Sequence, residues 1–145
     1  MAINLSSLRK TSIIRPPRIV AYGPLGVGKS SFASQAPKPV FIQTEEGLDA
    51  LDVAAFPLAR SYEEVMEAIQ SLYSEDHEFQ TVVLDSADWL EKLIFKQVAV
   101  NNKVANIEDI GYGKGYGFAV DLWHNVMEGF DLRYHARSYA NQTLR

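Results

Sequence analysis

The feature that most constrains this chain is the octapeptide Gly23-Pro24-Leu25-Gly26-Val27-Gly28-Lys29-Ser30, a full match to G-x-x-x-x-G-K-[ST]. It stands after the apolar run Arg18-Ile19-Val20-Ala21-Tyr22 and before Lys29 to Ala36, which has room for about two helical turns before Pro37 and Pro39 stop it. The expected unit is strand, glycine loop, helix. Phosphate oxygens need a ring of inward-pointing backbone N–H groups, and Gly23, Gly26 and Gly28 allow the torsions and the close approach this demands. Lys29 is expected to place its charge between the β- and γ-phosphates. Ser30 is expected to ligate Mg²⁺ through its hydroxyl, with the helix N-terminus adding partial positive charge. Gly23, Pro24, Leu25, Gly26, Val27, Gly28, Lys29, Ser30 and Ser31 are therefore the candidate nucleotide-binding residues, and ATP with Mg²⁺ the expected ligands. The loop touches phosphates alone and does not choose between adenine and guanine.

Downstream, Val40-Phe41-Ile42-Gln43-Thr44 and Thr81-Val82-Val83-Leu84-Asp85 read as buried strands, each ending at acidic residues. Between them Ser61 and Glu64 form a capping box, and Val65, Met66, Ile69, Leu72 and Tyr73 fall at helical spacing, which predicts a helix over 61–74. Asp88 is placed to cap a further helix with Leu90, Leu93, Ile94 and Val98 on its inner face. Strands alternating with helices predict an α/β fold with a parallel sheet flanked by helices. Gly111 to Gly117, with glycine at every second position, reads as a mobile loop. A last helix is expected from about Phe118 to Phe130, with Val120, Trp123, Met127 and Phe130 on one face. The chain thus divides into a basic N-terminal arm (1–18), a core (19–130) and an irregular tail (131–145).

The strand-end carboxylates are candidates for chemistry. Asp85 has the form of a residue that holds a magnesium shell from a neighbouring strand. Glu45, at the end of the strand after the glycine-loop helix, is placed to orient or deprotonate the attacking water. Glu46 competes for that role, and since adjacent strand positions face opposite ways only one of the pair points into the site. Glu45 is the assigned catalytic candidate.

Phe41 to Asp49 resembles the strand of RecA-type recombination ATPases that ends in their catalytic glutamate, and Thr81 to Ser86 resembles their magnesium-binding strand. Together with Tyr112-Gly113-Lys114-Gly115-Tyr116, residues 15–130 resemble the compact RecA-core P-loop proteins of phages, some of which anneal single strands. The resemblance implies a RecA-like sheet, Glu45 as base, Asp85 at Mg²⁺, and single-stranded DNA as partner. Tyr112 and Tyr116 would then stack on bases while Lys114 meets phosphate; the plain alternative is a linker with two surface tyrosines. RecA-type cores set one more strand, made from chain after the last helix, between the glycine-loop strand and the magnesium strand. Asp131 to Arg145 shows no such strand, so the expected sheet is incomplete at its C-terminus, as in a truncated or frame-shifted product, and open to homo-oligomeric or other partner pairing. Two other classes share the glycine loop: a small-molecule kinase, faintly supported by Arg133 and Arg137, and a non-catalytic module that ATP switches or assembles.

The remaining composition narrows these options little. The absence of cysteine removes disulfides, thiolate metal sites and cysteine nucleophiles. No apolar run reaches membrane-spanning length, and a cytoplasmic protein is expected, in a host cytoplasm if phage-encoded. Residues 1–44 carry six basic side chains and no acid, against a net charge of −10 for the rest. That asymmetry suits an arm that meets nucleic acid or an acidic partner, a solvated leader, or, over the first 18 residues, a transit-peptide-like segment. His77, His124 and His135 form no metal-ligand spacing.

Overall fold

The computed structural model describes residues 4–8 and 16–142, with side chains as far as Asp131. Its regular elements are α1 (Lys29–Ser34), β1 (Pro39–Gln43), β2 (Ala54–Ala55), α2 (Tyr62–Ser74), β3 (Thr81–Asp85), α3 (Ala87–Asn101) and α4 (Lys114–Gln142). The three strands form a parallel sheet in the order β2-β1-β3, with Val40 opposite Ala54 and Pro39 to Gln43 opposite Thr81 to Asp85. The α/β architecture expected from the alternating pattern is present.

Burial explains why β1 is central. Val40, Phe41 and Ile42 are all buried, the continuous apolar run of a parallel strand covered on both faces. Val40 and Ile42 join the main core with α2, α3 and α4. That core is filled by Val65, Ile69 and Leu72 of α2, Leu90, Ile94 and Val98 of α3, and Ala119 and Val126 of α4. β3 is half-buried along its whole length, and no strand lies beyond it among the described residues.

The local signals for α2 and α3 work largely as their chemistry requires. Ser61 caps α2 by accepting from the Glu64 N–H at 3.2 Å. The Glu64 carboxylate turns back to the Arg60 N–H at 2.5 Å, one residue short of a reciprocal box. Ser86, not Asp88, is the N-cap position of α3, because the helix starts at Ala87 and leaves Asp88 inside its first turn. His77 joins the turn after α2, accepting from the Phe79 N–H at 3.0 Å with its other ring nitrogen 3.1 Å from the Leu72 carbonyl.

Four further expectations are corrected. Arg18 to Tyr22 is not a strand: Ile19, Val20 and Tyr22 are 68%, 86% and 92% exposed. A strand exists only through its ladder, and although β3 leaves one edge of the sheet unpaired among the described residues, no ladder joins this run to it. The segment is held instead by an ion pair between Arg18 and Asp131 of α4. Gly111 to Gly117 is not a loop: Gly111–Gly113 is a single 3₁₀ turn, and Lys114 onward is helix. Gly115 is buried where a Cβ would stand 2.6 Å from Ile107 Cγ1 and 2.8 Å from the Ile107 carbonyl oxygen, so glycine serves close packing there. The inner face of α4 carries Ala119, Leu122 and Val126, with Trp123 and Phe130 beside them, whereas Val120 points outward. The backbone of α4 also stays helical beyond Asp131 to Gln142, where an irregular tail was expected.

Of the basic arm, Arg9, Lys10 and Arg15 lie outside the described residues. The side chains of Arg133, His135 and Arg137, and residues 143–145, do so as well. No described helix is long and apolar enough to cross a membrane.

Candidate functional site

The glycine loop stands at the C-terminal end of the sheet, carried there by the start of α1. Gly26 and Gly28 have φ of 80° and 95°, values that side-chain-bearing residues rarely adopt. Gly28 is the N-cap of α1, and its carbonyl accepts from the Phe32 N–H at 2.8 Å. Pro24, Leu25 and Val27 are exposed on the loop, which is pinned within itself by a Val27 N–H to Pro24 carbonyl bond of 3.4 Å. Ser31 follows in the first turn of α1.

Lys29 folds back over the loop. Its ammonium donates to the Gly23 carbonyl at 2.9 Å and the Pro24 carbonyl at 3.1 Å, so its charge is held by loop oxygens at the mouth of the cradle. Ser30 reaches the sheet: its hydroxyl donates to Asp85 Oδ2 at 2.5 Å across 55 residues of sequence. The two residues expected to share a magnesium ion are therefore in direct contact. Their oxygens are the hard donors that Mg²⁺ takes from protein, where it keeps several waters and is held by one or two carboxylates plus phosphate oxygens.

Glu45 lies just past the end of β1, in the bend over residues 44–46, and is half-buried, while Glu46 is exposed. Both have left the strand, so strand alternation does not separate them; burial does. The preceding Thr44 brings this bend to Asp85, its N–H donating to the Asp85 carbonyl at 2.8 Å. Its hydroxyl donates to the Ser86 carbonyl at 2.7 Å and accepts from the Ser86 N–H at 2.9 Å. On the other flank Gln43 donates from Nε2 to the Phe56 carbonyl at 2.8 Å, and its own carbonyl accepts from the Ala59 N–H at 3.0 Å. Thr44 and Gln43 were not singled out from sequence, because their importance depends on which backbone lies across the strand gap.

Tyr112 lies in the turn before α4, and Lys114 and Tyr116 in its first residues. Tyr112 is fully exposed with φ of 58°, Lys114 is exposed, and Tyr116 is half-exposed with its ring edge-on to Phe95 at 5.7 Å between centroids. Among the described residues no hydrogen bond, ion pair or ring contact joins this group to the glycine loop or to Asp85. Trp89 near the start of α3 is 43% exposed and lies under the Lys92 ammonium, 3.7 Å from the ring centroid. Among the described residues no cluster of three or more histidine, aspartate or glutamate side chains is placed to hold a metal.

The family model described as the AAA domain matches residues 15–131, which takes in the glycine loop, the sheet, α2, α3 and most of the described part of α4. No curated protein and no solved structure shows a significant match to the chain.

Proposed function

Because this chain belongs to the AAA domain family of P-loop, nucleotide-binding ATPases, we propose that it is a RecA-like ATPase that binds Mg-ATP in the loop Gly23 to Ser31 and hydrolyses it. The observation that supports the proposal is the Ser30–Asp85 hydrogen bond, which joins a hydroxyl at the end of the glycine loop to a carboxylate at the end of β3. Ser30 and Asp85 would hold Mg²⁺ there, and the bound ion would supply charge neutralisation at the phosphate oxygens.

The residues of the chain do the rest. Backbone N–H groups of the loop bind the phosphates, and Lys29 exchanges its two carbonyl partners for phosphate oxygens, trading neutral acceptors for charged ones. Glu45, half-buried beside the strand end that carries Asp85, orients the attacking water and takes its proton. Tyr112, Lys114 and Tyr116 are the proposed contacts to single-stranded DNA: the exposed rings for stacking, the ammonium for phosphate. The biological setting proposed is phage-type recombination or strand annealing.

The test is phosphate release from ATP with Mg²⁺, with and without single-stranded DNA. DNA-stimulated release is the expected result. Release that DNA leaves unchanged removes the recombination reading, and transfer of the γ-phosphate to a metabolite would replace it with a kinase.

A further inference from the structure

We infer that Thr44 is a positioning residue whose hydroxyl sets the Glu45 bend against the Asp85 strand end, so that the two carboxylates act at one fixed separation. The inference rests on the roles proposed above for Glu45 and Asp85. Its basis is the way the ladder between β1 and β3 ends. The last paired residues are Gln43 and Asp85, and the Thr44 N–H still donates to the Asp85 carbonyl at 2.8 Å. Past that point β1 turns away and backbone pairing stops. The Thr44 side chain replaces it, donating to the Ser86 carbonyl at 2.7 Å and accepting from the Ser86 N–H at 2.9 Å.

One hydroxyl thus holds both backbone groups of Ser86. The N–H belongs to the peptide that follows Asp85, and the carbonyl also accepts from the Leu90 N–H at 3.1 Å, in the first turn of α3. Thr44 is covalently next to Glu45 and hydrogen-bonded to the peptide next to Asp85. Rotation at either strand end would break both side-chain bonds at once. At 5% exposure, Thr44 is the one buried polar residue among the described residues, so water is poorly placed to take over its bonds. Its chemistry is specific: valine keeps the shape and can neither donate nor accept, serine does both, and cysteine does each only weakly.

The experiment compares wild type, Thr44→Val, Thr44→Ser, Thr44→Cys and Glu45→Gln as full chains, measuring kcat and KM for ATP hydrolysis with ATP affinity by direct titration. Leaving the Ser86 N–H unpartnered, its carbonyl held by the Leu90 N–H alone and the strand ends free to shift is expected to lower kcat about tenfold to a hundredfold in Thr44→Val, with ATP affinity kept within about twofold. Thr44→Ser is expected to restore turnover. A purely structural Thr44 would lower the melting temperature of Thr44→Val and leave kcat intact in the folded protein, and that result overturns the inference. Should Thr44→Val fail to fold, Thr44→Cys decides: reduced kcat with retained ATP affinity supports the inference, and wild-type kcat overturns it. Loss of turnover in Glu45→Gln beside full turnover in Thr44→Val defeats this inference alone. Full turnover in Glu45→Gln defeats the proposed role of Glu45 and this inference with it.

Discussion

Two glycines in one turn of α4 should respond to alanine with opposite signs. Gly115 and Gly117 are both helical, and at each an added methyl would improve helix propensity by up to about 1 kcal/mol. At Gly117 nothing lies within 4 Å of the new Cβ, so Gly117→Ala should be stabilising by about 0.5–1 kcal/mol. At Gly115 the Cβ would stand 2.6 Å from Ile107 Cγ1 and 2.8 Å from the Ile107 carbonyl oxygen. The side-chain contact can be relieved by a rotamer change, but the backbone contact requires α4 and the Ile107–Asp109 turn to separate. Overpacking of this kind costs about 1–3 kcal/mol, and the gain in propensity offsets only part of it. Because the propensity gain is common to both, the two substitutions should differ by the overpacking cost, about 1–3 kcal/mol in unfolding free energy, with Gly115→Ala the less stable. Urea unfolding followed by far-UV circular dichroism measures the difference directly, and thermal midpoints should separate by roughly 3–10 °C. Equal effects at the two positions would mean that the segment is a loop without packing constraint, and would refute the assignment of Gly115 to the helix contact.

Other expectations follow from individual contacts. Ser61→Ala removes the acceptor of the Glu64 N–H and should cost about 1 kcal/mol, whereas Ser61→Asp should keep most of the cap; urea midpoints distinguish them. Burial pushes the Tyr62 phenol above its ordinary 10.0, opposed by a hydrogen bond with Asn125 and reinforced by Glu63. Below pH 10 the phenol is protonated in both states and stability does not depend on it. As pH rises past 10 the unfolded phenol ionises first, and stability is lost progressively through the folded pKa. Unfolding free energies of wild type and Tyr62→Phe between pH 9 and 11 should show that decline in wild type and a smaller one in the variant.

The sequence carried most information where the signal was local. The apolar runs of β1 and β3, the cap at Ser61 and the helical spacing of Val65, Ile69 and Leu72 each reside within a few residues, and all appear in the structure. The positive-φ glycines that open α1 and the place of Asp85 at the end of β3 were legible for the same reason, each being set by residues adjacent in sequence. Partner-dependent features were not. Arg18 to Tyr22 has strand composition, but composition supplies no ladder, and the run is exposed. β2 has the converse history: Ala54–Ala55 carries no strand pattern and forms because its backbone meets β1. The alternating glycines of 111–117 suggested mobility, while the structure uses Gly115 for a close approach to Ile107. Thr44 was invisible because its value lies in the Ser86 backbone, 42 residues away, and only the register of the two strands brings them together.

Whether Gly23 to Ser31 holds a nucleoside triphosphate is tested most directly by a titration of wild type and Lys29→Ala with ATP and Mg²⁺ by calorimetry. Wild type should bind saturably, and loss of the charge-assisted contacts of Lys29 should weaken binding about tenfold or more. Equal affinity in the two proteins, or no binding by wild type, would contradict the account.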